Sequence, residues 1–397
     1  MNGENLLKLM GGRRILAMGI MPVRGTEGIM RLDYDFASKR SGGLDPRAIT
    51  AKCAEHGINM LGIVVKDTDG ACCWDTSIGP NPTGRDILGE FVDAASETNV
   101  AENATMKVVV SFTCFNDALR GQATPESVSV RRSGEKEFHT EGEMKKQDPN
   151  TGKWDVRYKT AFHCPSGPHC DYLLDLQEEI AKKYRIMGLL NDYIRYNSAE
   201  CCFCDRCLER YAEYPSNKDN TPAFTRKSSW WEFRTNLIED FSRRSDATIK
   251  RIAPNMLSGA FTLNGIKINR IRLWAQDWGK MARYLDVISP MVYPYLGASR
   301  KFGRLPELVG KLGNWSNRVW MNMAFNSAMK YGGDDARAEI LPITSSIYCL
   351  GSETTKSLRN LQKEAGVAIF KYFGTEQDSW DAIKHFYQTY FSLKSGL

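Results

Sequence analysis

The sequence has no long hydrophobic run. Nowhere does it contain about 18 consecutive apolar residues, the length that a membrane-spanning helix requires. Residues 1–10 also include too short an apolar stretch for a secretory signal peptide. We therefore expect a cytoplasmic protein that makes no contact with a membrane.

Blocks of like charge are absent as well. The chain has 53 lysines and arginines against 47 aspartates and glutamates, a formal net charge of +6, and the two signs are interspersed. An arm that binds nucleic acid usually shows as a run of about five or more like charges. We expect no nucleic-acid partner.

Several common catalytic motifs are also missing. The sequence contains no G-x-G-x-x-G or G-x-x-x-x-G-K-[ST] phosphate loop, no G-x-S-x-G elbow and no H-E-x-x-H helix. These motifs mark dinucleotide and nucleotide binding, serine esterases and zinc proteases. Their absence argues against those classes and against an organic cofactor.

The sequence does contain a regular alternation of short β-branched runs with amphipathic helical segments. Its 397 residues are 42% hydrophobic and 25% charged, which suits a large soluble core. We predict strands at residues 15–21, 59–65, 107–112, 187–193, 256–262, 287–293, 318–325 and 367–373. A parallel sheet of eight strands, each followed by a helix, closes on itself, so residues 1–397 are predicted to form a single (β/α)8 TIM barrel.

One polar segment, residues 121–161, interrupts the third strand-to-helix connection. Loops of this length within a compact domain are usually lids or binding loops. We predict a lid-like insertion, with a disordered surface insertion as the alternative.

The fourth predicted strand ends in polar residues. The apolar Gly188-Leu189-Leu190 leads into Asn191 and Asp192, and Arg195 follows. In a (β/α)8 barrel the active site lies at the carboxyl ends of the strands, which makes Asp192 a candidate catalytic carboxylate. The alternative is a structural aspartate that caps the next helix or pairs with Arg195.

One reaction that a carboxylate at the mouth of a barrel can catalyse is cleavage of a glycosidic bond. This reaction needs a second carboxyl group on the other side of the bond. Glu376, just after the eighth predicted strand, is our choice for this group. Asp67, Asp69 and Glu200 are rivals, and any of the four can instead be an ordinary solvated acid.

Other polar side chains at predicted strand ends can bind a sugar. The predicted substrate-binding residues are Lys66, Asp67, Arg195, Tyr293, Tyr295 and Asn326. Because Lys66 and Arg195 carry positive charge, as does Lys371, an anionic sugar such as a uronic acid is a further hypothesis. The alternative is that these cations pair with Asp67, Asp192 or Glu376.

Four of the 11 cysteines crowd together just after the fourth predicted strand. Cys202, Cys204 and Cys207 form a C-x-C-x-x-C cluster, and Zn²⁺ prefers four tetrahedral thiolate or imidazole ligands at such short spacings. We predict a structural zinc site with Cys164 as fourth ligand, because loops after neighbouring strands meet in a barrel. Cys114, Cys170, Cys201 and His163 are alternative ligands, and free thiols or a disulfide are alternatives to metal.

Three stretches together resemble a known family. They are V-V-K-D-T-D-G at 64–70 with S-I-G-P at 77–80 and G-R-D-I-L-G-E-F-V at 84–92; C-P-S at 164–166 with Y-L at 172–173; and the segment from Gly188 to Tyr211. I-S-P-M-V-Y-P at 288–294 adds a similar sixth strand. The combination is similar to the hypothetical glycosyl hydrolase 6 family, itself similar to family 42 β-galactosidases and family 29 α-L-fucosidases.

This resemblance implies a glycoside hydrolase barrel. It matches Asp192 to the strand-four nucleophile of fucosidase-like enzymes, and Cys202, Cys204 and Cys207 to the zinc cysteines of the β-galactosidases. Two departures limit the transfer: no glutamate ends the fourth strand, and Asn191 stands where similar sequences carry an apolar residue.

The sequence therefore predicts a retaining O-glycosidase that acts on a carbohydrate through Asp192 and Glu376. A non-catalytic carbohydrate-binding barrel is one alternative. A lyase or isomerase acting on a sugar acid, with Lys66 or Tyr293 as base, is another. Whether the barrel pairs into a homo-oligomer is left open by the sequence.

Overall fold

The computed structural model describes most of the chain. The described residues are 4–26, 29–32, 34–35, 40–41, 44–102, 105–139, 145–147, 154–157, 160–215, 229–265, 267–292, 336–345, 354–355, 358–359, 365–370, 372, 375 and 377–391. Within this part of the chain, no helix is long and apolar enough to cross a membrane.

Eight parallel strands form a closed barrel. They are β1 (Ile15–Ile20), β2 (Met60–Lys66), β3 (Lys107–Thr113), β4 (Gly188–Asp192), β5 (Leu257–Leu263), β6 (Val287–Met291), β7 in two pieces (Glu339–Ile340 and Ile343–Ser345) and β8 (Gly366–Phe370). Each strand pairs with the next along the chain, and β8 pairs with β1 to close the sheet. The predicted (β/α)8 fold is confirmed.

The seventh strand was predicted in the wrong place. Residues 318–325 lie outside the described residues, but the position between β6 and β8 is filled by β7. Ile343 is in register with Met291 of β6 and with Ala368 of β8. Pro342 separates the two pieces of β7; because proline lacks an N–H donor it interrupts a ladder, which shortens the apolar run that a strand prediction depends on.

Helices and hairpins surround the barrel. The helices are Glu4–Leu9, Pro46–Glu55, Ile87–Glu102, Ala118–Ala123, Pro125–Ser127 (3-10), His169–Lys183, Asp205–Ala212, Ser229–Ile252, Lys267–Asn269, Arg270–Trp274 (π), Trp278–Met281 and Gln377–Tyr390. Antiparallel pairs join Val23–Thr26 to Ile29–Leu32, Tyr34–Asp35 to Arg40–Ser41, Phe138–His139 to Thr160–Ala161, and Lys145–Gln147 to Trp154–Arg157.

Two apolar layers lie on opposite faces of the sheet. The inner layer fills the barrel and takes one residue in two from the strands, including Ala17, Val109, Leu190, Leu257 and Ala368. The outer layer joins the alternate strand residues, such as Leu189, to the surrounding helices. Because side chains alternate between faces along a strand, Asn191 belongs to the helix-facing layer and Asp192 to the barrel-facing one.

The segment predicted as a lid begins close to the barrel. Val128 is buried, the Phe203 amide donates to the Val130 carbonyl at 2.7 Å, and the Arg132 amide donates to the Glu200 carbonyl at 3.0 Å. The first part of the insertion therefore lies against the loop that follows β4. The lid role stays a prediction.

Candidate active site and metal centre

Asp192 is the last residue of β4, and its surroundings fix where the strand ends. It lies opposite Thr113 of β3, and its carbonyl accepts a hydrogen bond from the Cys114 amide at 2.8 Å. Tyr193 then adopts a left-handed conformation with φ of 49°, and its amide donates to Asp192 Oδ1 at 2.7 Å. The chain turns sharply here, which leaves a half-buried carboxyl group at the carboxyl end of the strand.

The environment of Asp192 disfavours its charged form. Burial raises the pKa of the Asp192 carboxyl, and the Tyr193 amide and the Arg195 cation offset part of that shift. Burial likewise lowers the pKa of Arg195. A carboxyl group with a perturbed pKa at the mouth of a barrel is typical of an active site.

Neither structural role considered for Asp192 is observed. The next helix, Asp205–Ala212, begins after Cys204, so Asp192 does not cap it. The Arg195 guanidinium lies 4.7 Å from the centroid of the Tyr193 ring and donates to the Tyr196 carbonyl at 3.4 Å. Among the described residues, no ion pair within 4.0 Å joins it to Asp192.

Lys66 lies at the end of β2 as predicted, but its ammonium group is buried in the protein and does not face solvent. Its ammonium group is fully buried, 2.8 Å from Asp117 Oδ2, and also donates to the Thr113 carbonyl at 3.1 Å. An opposite charge and a carbonyl thus satisfy the cation inside the protein. In this structure Lys66 has no surface with which to contact a sugar, and its partner is Asp117 rather than Asp67, the predicted alternative.

Asp67 holds its own turn together. Its Oδ1 atom accepts from the amides of Asp69 at 2.9 Å and Ala71 at 3.1 Å. The turn requires Gly70, which has a φ of +94° and whose added Cβ would lie 2.0 Å from Asp117 Oδ1. The V-V-K-D-T-D-G motif therefore builds a tight turn above the buried Lys66–Asp117 pair.

Five of the residues considered for the site lie outside the described residues. They are Glu376, Tyr293, Tyr295, Asn326 and Lys371. Of the rivals for the second carboxyl group, Glu200 is exposed and Asp69 half-buried.

Four cysteine sulfurs come together beside the loop after β4. The Sγ atoms of Cys164, Cys202, Cys204 and Cys207 all lie within 4.8 Å of one another, with Cys164 3.3 Å from Cys207 and 3.7 Å from Cys204. Tetrahedral zinc with Zn–S bonds of about 2.3 Å places its sulfurs about 3.8 Å apart. The four cysteines therefore fit a metal ion with a closed tetrahedral shell.

Other hydrogen-bond donors approach these sulfurs. The Val130 amide donates to Cys202 Sγ at 3.4 Å, and the Ser166 hydroxyl lies 3.1 Å from Cys164 Sγ and 3.2 Å from Cys207 Sγ. Donors that stabilise negative sulfur are the usual surroundings of a thiolate metal site.

The alternative ligands lie elsewhere. Cys114 Sγ is 3.2 Å from Asn191 Oδ1, and Cys170 Sγ is 3.0 Å from the Pro165 carbonyl. The His163 ring nitrogens contact the Ser127 hydroxyl and the Asp117 carbonyl, both at 2.9 Å. The structure thus brings Cys164 into the cluster, which does not include Cys201, and its role as a metal ligand stays a prediction.

Several buried polar groups near the site were not predicted to belong to it, apart from His163, which was named as an alternative metal ligand. His163 and His169 stack with their centroids 3.7 Å apart next to Asp117, and burial lowers the pKa of both rings. Glu137, in the insertion, is 1% exposed, with its Oε1 3.4 Å from Asn197 Nδ2. Asp117 caps the helix Ala118–Ala123, a position that aspartate favours, whereas the polar context of Glu137 gives no local signal.

Residues 47–303 match the model of a family described as "Putative glycosyl hydrolase domain". No curated protein matches the sequence. The matched region runs from the helix before β2 to beyond β6 and includes Asp192 and the four cysteines.

Solved structures share the fold at low sequence identity. The α-L-fucosidase isoenzyme 2 from Paenibacillus thiaminolyticus has a TM-score of 0.57 and 13% identity, covering 94% of this chain and 49% of that one. The glycoside hydrolase domain of PgaB (BpsB) from Bordetella bronchiseptica has a TM-score of 0.58 and 13% identity, covering 85% of this chain and 91% of that one. A β-galactosidase from the psychrophilic Marinomonas ef1 has a TM-score of 0.59 and 12% identity, covering 94% of this chain and 59% of that one. The chain thus spans about half of the fucosidase, and at these identities the likeness shows the fold alone.

Proposed function

The chain belongs to the family described as a putative glycosyl hydrolase domain, and from that premise we propose that it is a glycoside hydrolase in which Asp192 is a catalytic carboxyl group. The observation that carries this proposal is the position of Asp192, half-buried at the carboxyl end of β4 and not ion-paired with Arg195. In this fold the reacting groups are found at that end of the strands.

The proposed mechanism retains the anomeric configuration. The ionised Asp192 carboxylate attacks the anomeric carbon, and the bond to the leaving oxygen breaks as a second carboxyl group gives that oxygen its proton. Water then hydrolyses the glycosyl–enzyme bond, while the second group, now a carboxylate, takes the proton of the water. Two carboxyl groups about 5 to 5.5 Å apart perform this reaction.

We assign the second carboxyl role to Glu376, which follows β8. Glu137 is a second candidate, because the insertion brings its buried carboxyl group against Asn197, five residues beyond Asp192 in the sequence. Glu376→Gln and Glu137→Gln distinguish the two. The variant that removes the acid should lose activity on substrates with poor leaving groups and keep it on activated aryl glycosides, which need little protonation.

An anionic sugar remains part of the proposal, with Arg195 as the group that binds its carboxylate. Arg195 is half-buried beside Asp192, and the buried Lys66 no longer supports this hypothesis. Competition between uronic and neutral glycosides tests it, and equal inhibition by both would argue against an anionic substrate.

We further propose that Cys164, Cys202, Cys204 and Cys207 hold a zinc ion with a structural role. When bound, the ion would cross-link the loop after β3 to the loop after β4. With four sulfur ligands it would have no open position for a substrate, so the proposed reaction uses the carboxyl groups alone.

The test is hydrolysis of a panel of α and β aryl glycosides, neutral and uronic, by the wild type, Asp192→Asn and Asp240→Asn. Asp240 is a matched control, because it is an exposed carboxylate paired with Arg243 on the helix Ser229–Ile252. We expect Asp192→Asn to lose about a thousandfold or more in kcat on the cleaved glycoside, as losing a nucleophile does. Equal cleavage by the wild type and Asp192→Asn would overturn the assignment.

Rescue by azide separates a nucleophile from an acid. In Asp192→Gly, azide can occupy the space of the missing carboxylate and attack the anomeric carbon in its place. A glycosyl azide of inverted configuration would support Asp192 as the nucleophile. One of retained configuration would make it the acid.

A further inference from the structure

Three fully buried polar side chains form a closed ring of hydrogen bonds directly behind Asp192. Gln177 Nε2 donates to Asn191 Oδ1 at 2.8 Å, Asn191 Nδ2 donates to Ser245 Oγ at 2.9 Å, and Ser245 Oγ donates to Gln177 Oε1 at 2.7 Å. The ring residues have no exposed surface. Every member therefore both donates and accepts within the ring.

The ring couples the orientations of its members. Rotating the Asn191 amide by half a turn would direct its NH₂ group at the NH₂ group of Gln177 and break the ring. The direction of the ring can reverse only if both amides rotate together. The network therefore permits only these two arrangements, because an unpaired polar group in a dry interior is costly.

The ring also connects three elements of the barrel. Asn191 is in β4, Gln177 is in the helix His169–Lys183 and Ser245 is in the helix Ser229–Ile252. A thiol from the end of β3, Cys114, lies 3.2 Å from Asn191 Oδ1, and the Cys114 amide donates to the Asp192 carbonyl at 2.8 Å. The end of β4 is thus held on its outer face by both neighbouring helices.

The position of the ring suggests why it is polar. An apolar residue at 191 would fill the same space between strand and helices and would leave no hydrogen-bonding group to satisfy. Unlike non-directional apolar contacts, directional hydrogen bonds also orient the backbone from which the next side chain projects. That next side chain is Asp192, whose own conformation is held by the Tyr193 amide.

We propose that Asn191, Gln177 and Ser245 form a positioning unit that directs the Asp192 carboxyl group into the barrel mouth. The inference rests on the proposed role of Asp192 and deepens it. None of the three residues contacts substrate, since all are buried on the outer face of the sheet. They act through the β4 backbone.

The experiment compares Ser245→Ala with Ser242→Ala. Both serines are fully buried on one helix, but among the described residues Ser242 bonds only to the Ile238 carbonyl one turn away. We expect Ser245→Ala to lower kcat by about 10- to 100-fold with little change in KM, because small misplacement of a reacting group costs rate rather than binding. Ser242→Ala should keep both constants.

A double-mutant cycle and an exchange measurement complete the test. In an Asp192→Asn background, Ser245→Ala should have no further effect, because residues that act as a unit are not additive. Hydrogen exchange of the Tyr193 amide should speed up in Ser245→Ala and not in Ser242→Ala, whether or not a substrate is known. Unchanged exchange in Ser245→Ala would overturn the positioning role.

The outcomes also separate this inference from the proposed function. If Asp192→Asn loses activity and Ser245→Ala does not, the carboxyl role stands and the positioning role is wrong. If Asp192→Asn keeps full activity, the catalytic role proposed for Asp192 fails, whatever the exchange data show for the ring.

Discussion

Removing one member of the buried Lys66–Asp117 ion pair should destabilise the protein strongly. The two side chains are 0% and 1% exposed, and their charged atoms are 2.8 Å apart. In Asp117→Asn, Lys66 loses its counter-ion and keeps only the hydrogen bond to the Thr113 carbonyl. An uncompensated buried charge typically costs about 3–5 kcal/mol, so we expect the free energy of unfolding to fall by about that amount.

The same reasoning predicts a different result when both charges are removed. In Lys66→Met combined with Asp117→Leu no charge is left to desolvate, and replacement of a buried pair by apolar side chains of similar volume is often neutral or stabilising. We expect the double variant to recover most of the stability that Asp117→Asn loses. The effects of the two substitutions on the free energy of unfolding should therefore not add up, as expected for two side chains that form an ion pair.

Urea unfolding followed by the fluorescence of the nine tryptophans measures these differences. Lys384→Met is the matched control, because Lys384 forms an exposed pair with Glu55 at 3.0 Å. Its urea midpoint should stay at the wild-type value, since surface pairs contribute little. A loss below about 1 kcal/mol in Asp117→Asn, in the range of a surface pair, would refute the reasoning.

Three further predictions follow from the site and its surroundings. Elemental analysis of the purified protein should find one zinc ion per chain. Cys207→Ser should lower this metal content, whereas Cys170→Ser, at a buried cysteine outside the cluster, should not. Because burial raises the pKa of Asp192 and the Arg195 cation opposes this, activity should fall with falling pH as Asp192 is protonated, and Arg195→Met should move that acidic limb of kcat/KM to higher pH. Burial raises the pKa of Glu179, but hydrogen bonds from Ser77, Thr76 and Trp74 outweigh it and lower the value to about 2. Glu179 therefore stabilises the fold above its unfolded pKa of about 4.3, and this stability is lost as pH falls from there towards 2; Glu179→Gln should flatten the decline of the urea midpoint in that window.

Local patterns were sufficient to predict the barrel. Seven of the eight strands lie where short apolar runs predicted them, because burial on both faces of a parallel strand gives a continuous apolar run in the sequence. The helix Pro46–Glu55 likewise follows from Asp45, which accepts from the amides of Arg47 and Ala48 as a cap. The strand containing Pro342 was not predicted, since its two short pieces leave no continuous run.

The candidate sites were only partly readable from the sequence. The spacing of Cys202, Cys204 and Cys207 by itself indicates three candidate metal ligands. Cys164 was named from the rule that loops after neighbouring strands meet, and the structure brings its sulfur into the cluster. The end of β4 likewise indicated Asp192, because an acidic residue directly follows an apolar strand.

Tertiary structure alone decided which of these groups are buried and with what. Lys66 and Asp117 are 51 positions apart and meet because β2 and β3 are neighbours in the barrel. Asn191, Gln177 and Ser245 likewise meet only when two helices pack on β4. Periodicity is a local property that neighbouring residues encode directly. Burial and the partner of a charge depend on elements distant in the chain, so they are settled only when the barrel closes.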